Sequence, residues 1–206
     1  MIGIPRSITR QSDARDPLAP FGVPRTDGVI APRVTFAGVS GDAKKIVYVL
    51  DASGSMMPDF DALRDQLRNS IHDLRPPQSF DIIFINEHNP PPMARSLLFA
   101  TPESKSRAKE YVDSMQPRGG TDPLPAMTKA FALEPDLIYF FIDPTCFPDK
   151  KALVELVAEQ NRKSPIKLNI IAFEGHDPEN ALFLKKLATE SGGTYKFMSE
   201  KDLAGQ

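Results

Sequence analysis

At 206 residues the chain has the length of one ordinary domain plus an extension, and its 41% hydrophobic and 25% charged content suits a globular protein with a proper core. Its net charge of −2, with basic residues scattered or in the short pairs Lys44-Lys45, Lys150-Lys151 and Lys185-Lys186, leaves no electrostatic case for nucleic acid. The lone Cys146 excludes an intrachain disulfide, and no apolar run approaches the ~20 residues of a spanning helix.

Residues 1–44 read as a Pro-rich extension or linker, with prolines at 5, 17, 20, 24 and 32 breaking any periodicity. Only Arg33-Val34-Thr35-Phe36-Ala37 has the makings of a short strand or docking segment. The start, MIGIPRSITR, lacks the apolar stretch of a signal peptide, which sets the expectation of a cytoplasmic protein. The alternative is a piece of a larger anchored protein or assembly.

The domain is expected over 45–206. Ile46-Val47-Tyr48-Val49-Leu50 is a continuous β-prone run, short enough for a strand buried on both faces. It ends in Asp51-Ala52-Ser53-Gly54-Ser55, which puts oxygen-bearing side chains at alternate positions. From Asp59 the period changes: Phe60, Leu63, Leu67, Ile71 and Leu74 form a helical stripe that Pro76-Pro77 stops. Phe80–Asn86 is the next strand, and Arg95–Ala100 a short one. The Pro90-Pro91-Pro92 loop between them is too short for a helical crossover, so the two pair antiparallel.

Thr101-Pro102 and Asp122-Pro123 each read as a cap followed by a first-turn proline. The helix after Thr101 turns Ala108, Tyr111, Val112 and Met115 inward, and the one after Asp122 carries Leu124, Met127 and Phe131. Strand Asp136–Ile142, helix Lys150–Asn161, strand Ile166–Phe173, helix Asn180–Glu190 and strand Thr194–Met198 complete the alternation. Strands separated by amphipathic helices predict an α/β, doubly wound, mostly parallel sheet of six strands with one antiparallel edge strand.

A buried strand that delivers a carboxylate and two hydroxyls to its carboxyl tip fits a ligand site for a hard cation. Asp51-x-Ser53-x-Ser55 after a hydrophobic strand, Thr121 in Gly119-Gly120-Thr121-Asp122, and Asp143 closing the run Leu137–Ile142 together resemble the metal-ion-dependent adhesion site of von Willebrand factor A domains. The likeness covers roughly Lys45 to Met198. Its last part, Leu184-Lys185-Lys186-Leu187-Ala188 through Gly192-Gly193, resembles bacterial members. Taken singly, Ser53-Gly54-Ser55 also reads as a turn, Gly119-Gly120 as a loop, and Asp143 as a helix cap.

The resemblance implies a Rossmann-like fold and a bound Mg²⁺, or Mn²⁺ or Ca²⁺ in its place. It implies Ser53, Ser55 and Thr121 as direct ligands, with Asp51 and Asp143 acting mostly through water. Three neutral hydroxyls leave such a cation short of negative charge, so the natural remaining ligand is an Asp or Glu of a partner protein. The expected role is therefore metal-dependent protein binding, with a structural domain whose site is empty or merely stabilising as the alternative, and a metal-dependent hydrolase using the same carboxylates as a less favoured third. Pro144 departs from the glycine that usually follows the last aspartate, and it removes an amide donor there.

Met56 and Met57 could form an adaptable apolar rim together with Phe147 and Met93, or simply cover the core. Asp122 is either an acid behind Thr121 or the helix cap. The tail from Ser199 has room for at most two helical turns, against the long sliding helix of integrin-type members.

Enzymatic readings fit poorly. An aspartyl-phosphatase would have an acid where Ser53 stands, and the serines make no G-x-S-x-G elbow. No G-x-G-x-x-G follows the first strand. His72, His88 and His176 lack metal-ligand spacing, and Cys146 has no adjacent base.

Overall fold

A computed structural model describes residues 31–87, 89–145, 149–174 and 177–204. Its centre is a six-stranded sheet built from β3 (Lys45–Asp51), β4 (Ser79–Ile85), β5 (Leu98–Phe99), β6 (Leu137–Ile142), β7 (Lys167–Phe173) and β8 (Tyr195–Met198). The spatial order is β5-β4-β3-β6-β7-β8, parallel throughout except for the antiparallel edge β5. The apolar runs occupy the middle of this order because only there are both faces covered. Every residue of β6, and all but the first of β3 and β7, is buried.

Strand alternation then divides the core. On one face Ile46, Tyr48, Leu50, Phe80 and Phe84 join Leu63 and Leu67 of α1 (Phe60–Asp73) and Ala108 and Val112 of α2 (Pro102–Ser114). On the other, Val47, Val49, Ile138 and Ile170 meet α3 (Pro123–Ala132), α4 (Lys150–Lys163) and α5 (Pro178–Glu190). A short α6 (Glu200–Ala204) ends the described chain.

Besides α4, which runs on past Asn161 to Lys163, three elements differ from the sequence expectation in ways that bear on packing. Residues 33–42, assigned to the extension, form a hairpin of β1 (Arg33–Phe36) and β2 (Val39–Asp42) turned by Ala37 and Gly38, both at positive φ. Val34, Phe36 and Val39 are buried in the first core cluster. The hairpin is held by polar groups distant in sequence. The Tyr139 hydroxyl donates to Val34 O at 2.9 Å and Val39 O at 3.0 Å, and Gln78 Nε2 donates to Pro32 O and Ala43 O.

The strand expected over Arg95–Ala100 shrinks to Leu98–Phe99. Ahead of it, Met93 N already bonds Ile82 O, and the Asp81 carboxylate accepts from Ala94 N at 3.2 Å. A side chain thus replaces a ladder rung. Helix α5 starts at Pro178 rather than Asn180, because Asp177 caps it by accepting from Glu179 N and Asn180 N. Asp177-Pro178 repeats the cap-plus-proline signal of Thr101-Pro102 and Asp122-Pro123.

After α5 the chain must turn into β8 against the sheet. A Cβ on Gly193 would lie 2.1 Å from Leu168 O, so the backbones meet where no side chain fits. No helix among the described residues is long and apolar enough to cross a membrane.

Candidate functional site

The site begins where β3 runs out. Asp51 is its last residue and is fully buried. Beyond it the backbone stays zipped to its surroundings. Ala52 N donates to Ile85 O at 2.8 Å, Arg118 N to Ala52 O at 2.9 Å, and Gly54 N to Gly119 O at 3.0 Å. These bonds draw the loop before α3 across the tip of β3. Gly119 is at φ +68, and a Cβ there would run into the Glu87 side chain. The approach thus needs a glycine in the left-handed region with no side chain of its own.

The result gathers distant oxygens. Ser53 Oγ and Ser55 Oγ are 3.1 Å apart, and Thr121 Oγ1 reaches Asp51 Oδ2 at 3.5 Å across 70 residues of sequence. Asp51 Oδ1 accepts from Ser53 N at 2.8 Å, and its Oδ2 from Asp143 N at 3.2 Å. Burial pushes the Asp51 carboxyl up from its ordinary range. Hydrogen bonds from Ser53 and the Asp143 amide pull it down, and the Asp143 charge again raises it. Asp51, Ser53, Ser55, Thr121 and Asp143 therefore lie together at the carboxyl edge of the sheet. Ser53 is buried and Ser55 exposed, so the cluster opens outward on the Ser55 side.

The Asp143 loop is stabilised in a way the sequence does not show. Asp143 Oδ1 accepts from Thr145 N at 3.0 Å, bridging past Pro144, which has no amide to offer. Pro144 O in turn accepts from Asn180 Nδ2 at 2.6 Å, so a buried side chain in the first turn of α5 holds the loop. Nothing in the spacing of Asn180 marks it for this task.

Asp59 and Glu174 belong to no motif in the sequence, yet both lie at the carboxyl end of the sheet. Asp59 precedes α1 and Glu174 follows β7. Burial and the Glu174 charge raise the Asp59 carboxyl, and Glu174 Oε1 accepts from Glu200 N. Together they add negative charge at this end of the molecule.

The other expected residues divide. Asp122 is the cap of α3, its carboxylate accepting from Leu124 N at 3.1 Å. Met56 is 1% exposed and Met93 5%, so both belong to the core instead of a rim. Met56 turns inward in a single 3₁₀ turn over Gly54–Met56, which leaves Met57, 65% exposed, on the surface. His72 is exposed on α1 beside Asp73. Cys146, Phe147, His88 and His176 lie outside the described residues.

Among the described residues no three His, Cys, Asp or Glu side chains gather as a metal-holding group. The converging oxygens here are hydroxyls over a buried carboxylate, the all-oxygen set that a hard cation takes and a soft one does not. The residues fit a hard divalent ion.

The family model of the von Willebrand factor type A domain matches residues 44–197. Inter-alpha-trypsin inhibitor heavy chain H2 of Mus musculus is 30% identical over 169 residues, 73% of this chain and 17% of that protein. The Mesocricetus auratus counterpart is 27% identical over 180 residues, 79% and 19%. The chain thus spans about a fifth of the length of these relatives.

Among solved structures, von Willebrand factor type A from Catenulispora acidiphila superposes with a TM-score of 0.64 at 20% identity, covering 81% of this chain and 42% of that one. Proximal thread matrix protein 1 from the mussel byssus gives 0.60 at 15% identity, covering 84% and 45%. Both likenesses carry the fold. Strand order, loop geometry and matched span lead to one conclusion: the chain belongs to the von Willebrand factor type A domain family, whose members are typically protein-interaction modules.

Proposed function

We propose that this domain is a divalent-metal-dependent protein-binding module, without catalytic activity, that accepts an acidic residue of a partner. Ser53, Ser55 and Thr121 would hold Mg²⁺ (or Mn²⁺ or Ca²⁺) directly, and Asp51 and Asp143 would orient water and supply charge. The observation that carries this reading is the meeting of the Ser53, Ser55 and Thr121 hydroxyls over a fully buried Asp51 carboxylate. A buried carboxylate with no cationic side chain bonded to it among the described residues gains most from a nearby positive ion. Once bound, the ion supplies a Lewis-acidic position that a partner's Asp or Glu carboxylate can fill. Asp51 would neutralise part of its charge, and the incoming group would approach from the exposed Ser55 side.

A stabilising role without a partner is the second reading. It is favoured by the hydrogen bonds that Asp51 takes from Ser53 N and Asp143 N, which hold the loops together by themselves. Thermal unfolding of wild type and of Ser53→Ala/Ser55→Ala, with and without millimolar Mg²⁺ or Mn²⁺, tests the site. A ligand that binds only the folded state at about a hundred times its Kd adds about 2.7 kcal/mol of stability. The expected result is a rise in Tm in wild type that the double variant lacks, and a further rise with an Asp-containing peptide. No metal-dependent rise refutes the proposal. A metal-dependent rise that acidic peptides leave unchanged assigns the site to the stabilising role.

A further inference from the structure

A second feature lies at the β5 edge of the sheet, on residues the metal site does not use. The loop after β4 is strapped across this edge from both faces. From α2, Arg107 Nη2 donates to Met93 O at 2.8 Å, and the Tyr111 hydroxyl to Pro91 O at 2.7 Å. From α3, Lys129 Nζ donates to Asn89 O, Asn89 Oδ1 and Pro90 O at 3.1, 2.8 and 3.1 Å. Between the strap and the helices lies an open groove of about 470 Å³, within the size range of ligand sites. Arg95, Arg107 and Lys129 line it, with Pro91, Pro92 and Leu133 as apolar wall, and no carboxylate is among its lining residues.

What sets these three cations apart is that they share one groove with no ion pair among the described residues, where several basic residues elsewhere are paired. Arg64, Arg68, Lys109, Lys150 and Lys163 each sit against an Asp or Glu. Arg107 and Lys129 bond neutral oxygens only, and Arg95 is exposed with no hydrogen bond or ion pair among the described residues. The acid that feels the Arg107 charge, Asp81, is fully buried beneath the strap and turns its carboxylate to Ile82 N and Ala94 N. Burial also depresses the Lys129 ammonium, as expected of a cation that has lost water without gaining an anion.

We propose that this groove docks an extended acidic segment of a partner protein, its carboxylates meeting Arg95, Arg107 and Lys129 while its apolar side chains lie against Pro91, Pro92 and Leu133. The apolar wall decides between anions. A free phosphate uses the charge and wastes the wall. A nucleic acid strand would want aromatic side chains for its bases, and the lining residues include none.

The test is fluorescence anisotropy of a short labelled peptide of alternating glutamate and leucine, titrated with the whole chain at low salt in EDTA. Chelation keeps the metal site out of the measurement. Arg95→Glu is the principal variant, since Arg95 supports nothing in the fold and its Tm should match wild type. Saturable binding is expected, weakened about tenfold by Arg95→Glu and about fivefold by Lys129→Gln, as for charges facing a complementary partner. Ser53→Ala/Ser55→Ala should bind the probe as wild type does. Three results overturn the proposal: no binding by wild type, equal binding by wild type and Arg95→Glu, or tighter binding of a single-stranded oligonucleotide of matched charge.

Discussion

Asp81 offers the sharpest test of how this core is held together. It sits in β4 with no exposed surface, its Oδ1 accepting from Ile82 N at 2.8 Å and Ala94 N at 3.2 Å while its buried Oδ2 has no partner among the described residues. Loss of water pushes its carboxyl from 3.8 up to about 7, against the pull of the two amides and the Arg107 charge. In the unfolded chain the group ionises near 3.8, so between about pH 4 and pH 7 the folded state holds a proton that the unfolded state has released. Stability from this group is then greatest below about pH 4 and falls as pH rises towards about 7.

A tenfold change in proton affinity is worth about 1.4 kcal/mol, so the full loss is about 4 kcal/mol. Asp81→Asn keeps the acceptor for both amides and removes the charge, but leaves a buried NH₂ to satisfy, which costs about 1–3 kcal/mol. Urea unfolding of both proteins from about pH 4 to about pH 8 separates these effects, because other titrations cancel in the difference. Relative to wild type, the variant should gain about 3–4 kcal/mol across that range, passing from less stable at low pH to equal or more stable at high pH. A difference that stays flat with pH would refute the reasoning, since it would mean that Asp81 is solvated or paired in the folded state.

Gly193→Ala should destabilise by about 3 kcal/mol or more, because its Cβ would lie 2.1 Å from a main-chain oxygen. Gly120→Ala, with nothing within 4 Å, should change stability by less than about 0.5 kcal/mol, and urea midpoints compare the two directly. Tyr139→Phe removes the donor shared by Val34 O and Val39 O and should cost about 1–3 kcal/mol. Hydrogen exchange should speed most at the β1–β2 amides, and equal acceleration throughout the sheet would count against this anchor.

Much of the fold is legible because its signals are local and repeated. Apolar runs long enough for a strand, flanked by helical stripes, permit little except a parallel sheet covered on both faces. The caps at Thr101 and Asp122 work through adjacent residues, so they can be read without knowing the neighbours. The hairpin at 33–42 escapes such a reading because its anchors, Tyr139 and Gln78, stand 105 and 35 residues from the groups they hold. Proline-rich flanks and four-residue strands offer little evidence of their own. Met56 and Met57 show the same limit at a finer scale: the two side chains are chemically identical, and only the turn at Gly54–Met56 settles which is buried.

At the candidate site, the chemistry is written in the order of the residues: a carboxylate and two hydroxyls at alternate positions on a strand end, with a threonine and a second aspartate farther along. Topology carries strand ends to one edge, and the 3₁₀ turn at Gly54–Met56 brings the Ser55 hydroxyl back beside that of Ser53. Packing alone accounts for the rest. It docks Gly54 on Gly119 backbone to backbone, sets Asn180 against the Asp143 turn, and brings Arg95, Arg107 and Lys129 into a groove without a carboxylate. Those features depend on distances between segments far apart in the chain, which are set when the two faces of the sheet pack and not by any local preference.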